Sequence, residues 1–405
     1  MSSISFDPFS LEYTADPRPL FAKFHAHAPL VRHEELGSWF AHGYEEVKAI
    51  FADARFGGEM ELVSGYREEA EERRRRWPVT EKAHNESSFR GGEGHSRLRK
   101  LLAPDFKPAM MRKMASTVAD VVAKQFAPIE FERELNLVEL VQEVPLITIS
   151  RILGVDETGE NAELFLRAAP DFFRGSNPLS PPELRDRAEQ AAIDMFAVLE
   201  ATVRERRARP QDDLITQALE VSSEMGGFSD EEIIHSLVVL VAAGTDTTRL
   251  ATSLALKTLL TLPDHLAAFR EDSSQRPDAI MELLRYDSPT KFTVRVASED
   301  VEWKSQTLSR GSLVLLSPFA AGWDPAAFPN PERFDPRRDQ RGLLTFGHGA
   351  HYCLGVHLAK LQIGAMLDFF VEHVPRGAEI DSDNVEWAPL NMFLREVTRV
   401  PVRLR

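Results

Sequence analysis

The single cysteine of the 405-residue chain, Cys353, lies in the decapeptide FGHGAHYCLG, Phe346 to Gly355. Gly347, Gly349 and Gly355 frame it, and glycine tolerates left-handed backbone and close approach. The stretch from Leu354 to His373 predicts a helix, so the sulfur would stand at a helix mouth. Unpaired N–H groups and partial positive charge there favour thiolate over thiol. A thiolate in a rigid loop is a metal ligand or a nucleophile; otherwise a lone cysteine is a small buried apolar side chain. His348, His351 and His357 flank it and raise zinc as an alternative. The spacing H-x2-H-x-C-x3-H matches no common zinc pattern, however. The local signatures of cysteine acyl-transfer enzymes are absent.

A second signal is Ala243-Gly244-Thr245-Asp246-Thr247-Thr248. The mostly apolar run Ile233 to Ala243 before it implies burial. Glycine inside a helix costs about 1 kcal/mol relative to alanine, and buried hydroxyls and carboxylates cost more unless paired. Such residues mark a site unless they occupy a solvent face. The Thr247 hydroxyl can bond back to the Ala243 carbonyl and open the helix locally. Glu282 and Arg285 stand at i, i+3, a spacing that allows pairing and is also common on solvated helices. His95 and Arg99 stand at i, i+4, with Arg97 between them and Lys100 next. Arg295 lies in the mainly apolar stretch Phe292 to Ala297. Positive groups converging from these segments could hold two carboxylates of a ligand.

The elements that must position these groups are legible in outline. Ser229 with Glu232 reads as a capping box, and no helix breaker follows until Leu262 and Pro263. That helix has about 33 residues and spans roughly 50 Å. A helix from about Pro277 to before Pro289 comes next, then strands within Lys291 to Leu316. Prolines 318 to 336 read as an irregular meander, and the tail from Trp387 looks like a hairpin. Upstream, Leu30 to His33 and Trp39 to His42 read as strands and Tyr44 to Phe51 as a helix. The charge run 66–76 reads as a solvated helix face or mobile loop. Prolines break the helical pattern between Gly175 and Glu183. The sum is a mainly α fold with a small β part, in one domain over 1–405. Its β-rich part takes about 1–60 with 291–316 and 387–405; its α-rich part takes about 66–290 and 340–375.

Composition narrows the classes. Hydrophobic residues at 43% and charged residues at 27% exclude a disordered or fibrous chain. A net charge of −15 disfavours nucleic acid as a partner. One cysteine excludes an intrachain disulfide and points to a reducing compartment. The start MSSISFDPFS has no basic or apolar region of a signal peptide. No run of 18 uncharged apolar residues suggests a membrane span. These features lead us to expect a cytoplasmic protein.

Together the motifs resemble the cytochrome P-450 superfamily of haem-thiolate monooxygenases, soluble bacterial type, from about His95 to the C-terminus. Phe346, Gly347, Gly349, His351, Cys353 and Gly355 match its haem-binding loop. Ala243-Gly244-x-Asp246-Thr247 matches its oxygen-activating helix. Glu282-x-x-Arg285 followed by Pro331-Glu332-Arg333-Phe334 matches its Glu–Arg–Arg lock, so Glu282, Arg285 and Arg333 would form a structural support under the haem. Gly322-Trp323-Asp324 departs from the Asn-Arg-Asp of many bacterial members.

The resemblance implies the P-450 fold, a triangular helical part with a minor antiparallel β region. Haem b (iron protoporphyrin IX) would lie between the long central helix and the Cys-loop helix. Cys353 would be the axial iron ligand. His95, Arg99, Arg295 and His351 would bind the propionates, and Phe346 and Gly347 would lie against the cofactor. Asp246 and Thr247 would be catalytic, with Asp246 relaying protons from solvent to the Thr247 hydroxyl. Val239, Ala242, Ala243, Phe292, Val294, Met392 and Phe393 would line an apolar substrate pocket, with Phe172 and Phe173 near a lid. The implied reaction is hydroxylation or epoxidation of a fatty acid, terpenoid, steroid or polyketide by O2. Electrons would come from NAD(P)H through an external ferredoxin or flavodoxin and its reductase, since one cysteine cannot hold an iron–sulfur cluster. Arg97, Lys100, Arg112 and Lys113 could dock that partner, and the enzyme would act as a monomer. The competing class is a non-catalytic haem sensor or carrier, which needs no Asp246–Thr247 pair.

Overall fold

The computed structural model describes residues 3–66, 68–86, 92–102, 106, 108–127, 134–155, 158–176, 180–225, 228–389 and 391–404. Its axis is a 31-residue helix, Asp230–Leu260. The expected capping box opens it: Ser229 Oγ accepts from Glu232 N, and the Glu232 carboxylate accepts from Ser229 N. This satisfies two donors that a helix start otherwise leaves unpaired. Helices Leu137–Val141, Val144–Leu153, Glu160–Gly175, Pro182–Ala208 and Val356–His373 pack around it. Their inward faces share one apolar core that includes Leu237, Val241, Leu254, Phe165, Met195 and Leu367. The central helix is apolar and long enough to cross a membrane, but 72% of its most apolar window is buried by these neighbours. Its hydrophobicity serves the core.

The β part gathers segments far apart in sequence. Strands β1 (Ser3–Ile4), β2 (Leu30–His33), β3 (Ser38–Ala41), β4 (Phe56–Gly57), β5 (Thr293–Ala297) and β6 (Leu313–Leu316) form one sheet. Their spatial order is β1-β2-β3-β6-β5-β4. β3 runs parallel to β6, with Trp39 opposite Val314; β6 runs antiparallel to β5, with Val314 opposite Arg295. Side chains alternate between the two faces. Trp39, Val314 and Leu316 pack with Phe51 of helix Tyr44–Ala52 on one face. Phe40, Leu315 and Phe292 pack with the N-terminal Phe6, Tyr13 and Phe24 on the other. The tail is the expected hairpin, Glu386–Ala388 against Glu396–Arg399.

The charge run is not simply solvated. Helix Ala70–Arg76 buries Arg73, whose guanidinium lies 3.8 Å from the Tyr66 ring centre and 3.4 Å from Glu81. Arg185 of the helix Pro182–Ala208 shares that carboxylate at 2.6 Å. A partner 104 residues away is invisible to a local reading.

One buried cluster ties the N-terminus, the helix Arg276–Tyr286 and the tail together. Asp287, 1% exposed, pairs with Arg395 and accepts from Lys257 Nζ and Thr258 Oγ1, each at 2.9 Å. Arg395 also donates to the Thr14 and Ala15 carbonyls. Burial alone would raise the Asp287 carboxyl; Arg395, Lys257 and Arg18 overrule it and hold it well below the usual carboxylate range. Such a carboxylate stabilises the fold above its unfolded value of 3.8, and that contribution is lost as pH falls further. Asp287→Asn should lower unfolding free energy at neutral pH by about 3–5 kcal/mol in urea titrations. It should also flatten the acid limb of stability against pH.

Candidate functional site

The Cys353 loop is shaped by two glycines. Gly347 and Gly349 have φ of 76° and 72°. A Cβ at Gly349 would stand 2.8 Å from the Phe51 carbonyl oxygen, so the loop lies directly on the helix beneath the sheet. Gly355 differs from expectation: its φ is −85° and nothing crowds its Cβ position. It serves as the cap of the helix Val356–His373. The Cys353 N–H donates to the Phe346 carbonyl at 2.9 Å, closing the loop. Burial pushes the Cys353 thiol up, and the Gly355 N–H and Arg99 oppose this only in part. The helix mouth therefore does not suffice to ionise the sulfur; a bound metal cation would. Among the described residues no three His, Cys, Asp or Glu side chains gather, so His348 and His357 give zinc no geometric support.

The central helix carries a narrow uncovered stripe within its buried length. Val239, Leu240, Gly244 and Thr247 are half-buried and Ala243 is exposed, while their neighbours on the helix are buried. The i, i+4, i+8 spacing of 239, 243 and 247 puts them on one face. Ala242, expected in the pocket, is packed in the core cluster at 8% exposure. Phe292 and Met392 are likewise core, at 1% and 8% exposure. Phe292 stacks on Tyr13 at 5.6 Å, because the N-terminal segment fills that space. Phe172 is buried too; Val294, Phe393 and Phe173 remain half-buried.

Basic groups from three segments converge beside the Cys353 loop. The His95 ring, on helix Gly92–Leu102, lies 3.9 Å from the His351 ring. Arg99 Nη1 donates to the Tyr352 carbonyl at 2.7 Å. Arg295, on β5, is 8% exposed, and its Nη1 reaches only the adjacent Val294 carbonyl, at 2.8 Å. Its Nε has no partner among the described residues. Burial, then Arg295, His95 and Arg99, push His351 down to about 3. Burial pushes Arg295 down to about 10, against the pull of Glu59. Buried donors that repel one another fit a ligand bearing two carboxylates, as the propionates of haem do.

Glu282 and Arg285 form a bidentate pair at 2.8 Å and 2.8 Å, with both side chains 0% exposed. Arg285 also donates to the Gly322 and Pro331 carbonyls at 2.9 Å, fastening its helix to the meander. A Cβ at Gly322 would sit 3.2 Å from Arg285 Cγ, so glycine gives the guanidinium room. Trp323 packs on Tyr286 at 5.3 Å, and Asp324 accepts from Tyr44 N at 2.9 Å. The departure from Asn-Arg-Asp thus has its own packing. The third basic member is not Arg333. Arg333 is exposed and offers only its carbonyl, whereas Arg338 Nε reaches Glu282 Oε1 at 3.3 Å. The path of the meander decides which arginine turns inward.

Thr247 Oγ1 donates to the Ala243 carbonyl at 2.6 Å, as its spacing suggested, and the helix stays continuous. Asp246 is 4% exposed and pairs with Arg249 Nε at 3.0 Å, rather than opening to solvent. Arg249 was missed, although the i, i+3 rule applied to Glu282 and Arg285 would have found it. Of the proposed docking patch, Arg97 lies over the Phe228 ring at 4.4 Å and near Glu232, and Lys100 is exposed. The side chains of Arg112 and Lys113 lie outside the described residues.

The family model for cytochrome P450 matches residues 67–276 and 277–374. The chain belongs to the cytochrome P450 family. It is similar to 6-deoxyerythronolide B hydroxylase of Saccharopolyspora erythraea, 31% identical over 95% of both chains. It is also 31% identical to cytochrome P450 monooxygenase PikC of Streptomyces venezuelae, over 97% of this chain and 92% of that one. The fold matches epothilone D-bound cytochrome P450epoK with a TM-score of 0.90 at 25% identity over 99% of each chain. It matches P450BioI in complex with an acylated acyl carrier protein at 0.87 and 26%, over 97% and 99%. As a P450, the protein is a haem-dependent monooxygenase that incorporates oxygen from O2. The convergent basic groups and the half-buried Cys353 sulfur fit that cofactor.

Replacing Arg338 by Ala should uncover the buried Glu282 carboxylate and lower both the melting temperature and the haem content of purified protein. Arg333→Ala, which keeps its backbone carbonyl, should change neither by much. The reverse ranking would restore Arg333 to the lock.

Proposed function

We propose that this P450 inserts one atom of O2 into a C–H bond or double bond of an apolar small molecule, and that Cys353 would hold the haem iron through its sulfur. His95, Arg99, Arg295 and His351 would hold the propionates, and Glu282, Arg285 and Arg338 would keep the underlying loop rigid. When bound, the haem supplies the activation of dioxygen and its insertion into substrate. The protein's share is orientation, exclusion of water and proton supply.

The observation that carries this reading is the stripe Val239–Ala243–Thr247 on an otherwise buried helix. Val239 and Ala243 offer an apolar wall, as suits an apolar ligand. The Thr247 hydroxyl ends the stripe. Its proton rests on the Ala243 carbonyl, which leaves the oxygen's lone pairs to accept from the open side. Rotating off Ala243, the hydroxyl can give that proton to the open side and take another from Asp246. A sensor or carrier has no use for this arrangement.

The names of the relatives favour a polyketide-sized substrate within the apolar class, and Vitamin D(3) 25-hydroxylase of Pseudonocardia autotrophica, 29% identical, keeps sterol-like molecules in the set. We read the electron source as NAD(P)H through a ferredoxin or flavodoxin and its reductase. No helix or strand of the described residues forms a second module to carry a flavin.

Cys353→His should abolish the red-shifted ferrous–CO band of thiolate ligation; an unchanged spectrum would place the ligand elsewhere. Thr247→Ala should consume NAD(P)H but yield peroxide, with product per NAD(P)H down by about an order of magnitude or more. Unaltered coupling would remove Thr247 from the proton route. Spin-state shifts with 6-deoxyerythronolide B, hexadec-9Z-enoic acid and vitamin D3 would rank the substrate classes.

A further inference from the structure

Asp246 sits beside Thr247 in sequence but on the buried side of the central helix. Its carboxylate meets Arg249, one turn further on, and the two side chains are only 5% and 7% exposed. Among the described residues no other acid pairs with Arg249, and its Nη2 finds no acceptor. Burying a guanidinium is costly unless a charge answers it, and removing one member of such a pair strands the other. An apolar residue would fill this core position with no such demand. Arg249 is also absent from the groups that gather at the Cys353 loop, so neither packing nor cofactor binding accounts for it.

The acid accounts for it. A lone carboxylate next to Thr247 has several rotamers, and only some bring its oxygen near the hydroxyl. A charge-assisted bond to a residue three positions along the same helix selects one direction for it. We propose that Arg249 is a positioning residue for the proton route: it holds the carboxylate of Asp246, the sequence neighbour of Thr247, in one direction and keeps it from collapsing onto the helix backbone. The proposal rests on reading Asp246 and Thr247 as that route. The balance is simple. A proton leaves Thr247 Oγ1, one that the Asp246 carboxylate takes up from water and passes on replaces it, and Asp246 ends as the carboxylate it began as.

The test uses the haem-loaded protein with a surrogate ferredoxin and reductase. The probe is whichever of 6-deoxyerythronolide B and hexadec-9Z-enoic acid shifts the spin state. R249M should cut product per NAD(P)H about tenfold, close to the loss in D246N, while probe dissociation changes by less than about twofold. R249K should recover part of the coupling. The double variant should be no worse than D246N alone, since a positioning residue has nothing left to position. A second readout needs no turnover: each single variant should lower the melting temperature, and the double variant should lower it by less than their sum. Should R249M not fold, R249Q and R249K carry the comparison. Wild-type coupling in R249M beside uncoupled D246N overturns the inference and leaves the proton route standing. Wild-type coupling in D246N overturns both.

Discussion

Charge buried without an answering charge is costly, and the site of this protein is built around that constraint. Cys353 lies in a closed loop where burial pushes its thiol up. Arg295 and His351 lie nearby, both pushed down by burial, and His351 further by Arg295, His95 and Arg99. The two penalties have opposite sign. A group that carries both a metal cation and carboxylates would relieve both. The protein thus prepares a binding site through strained electrostatics instead of shape alone.

Elsewhere the same cost is met internally. Asp287 gathers Arg395, Lys257 and Thr258, which belong to the tail and the central helix, and so fastens three parts of the chain at one point. Glu282 takes Arg285 and Arg338, and Arg285 spends its remaining donors on meander carbonyls. These satisfied networks are rigid, since each member would be stranded by movement of another. Asp246 and Arg249 apply the same economy inside the helix itself.

The helix phase turns this rigidity into function. One residue of rotation separates Ala242 in the core from Ala243 on the open stripe, and Asp246 in the interior from Thr247 at its edge. Acid and alcohol are neighbours in sequence yet look out on different environments.

Much of this was legible in the residues alone. The Ser229–Glu232 cap, the unbroken run to Leu262, the glycines around Cys353 and the Thr247–Ala243 back-bond all depend on neighbours within a few positions, where stereochemistry acts directly. The residue pattern around Cys353, with the motifs at 243–247 and 282–285, carries the resemblance to the family. Other features waited for tertiary structure. Arg333 and Arg338 are both near the right place in sequence, but the turn of the meander alone sends Arg338 to a carboxylate 56 residues away. Phe292 and Met392 became core because the N-terminal segment packs on them, and Arg73 was buried by Arg185 and Glu81. Local sequence sets periodicity, caps and turns through short-range sterics and hydrogen bonds. Which side chain meets which across the fold is set by the joint packing of distant segments, and only the folded chain states it.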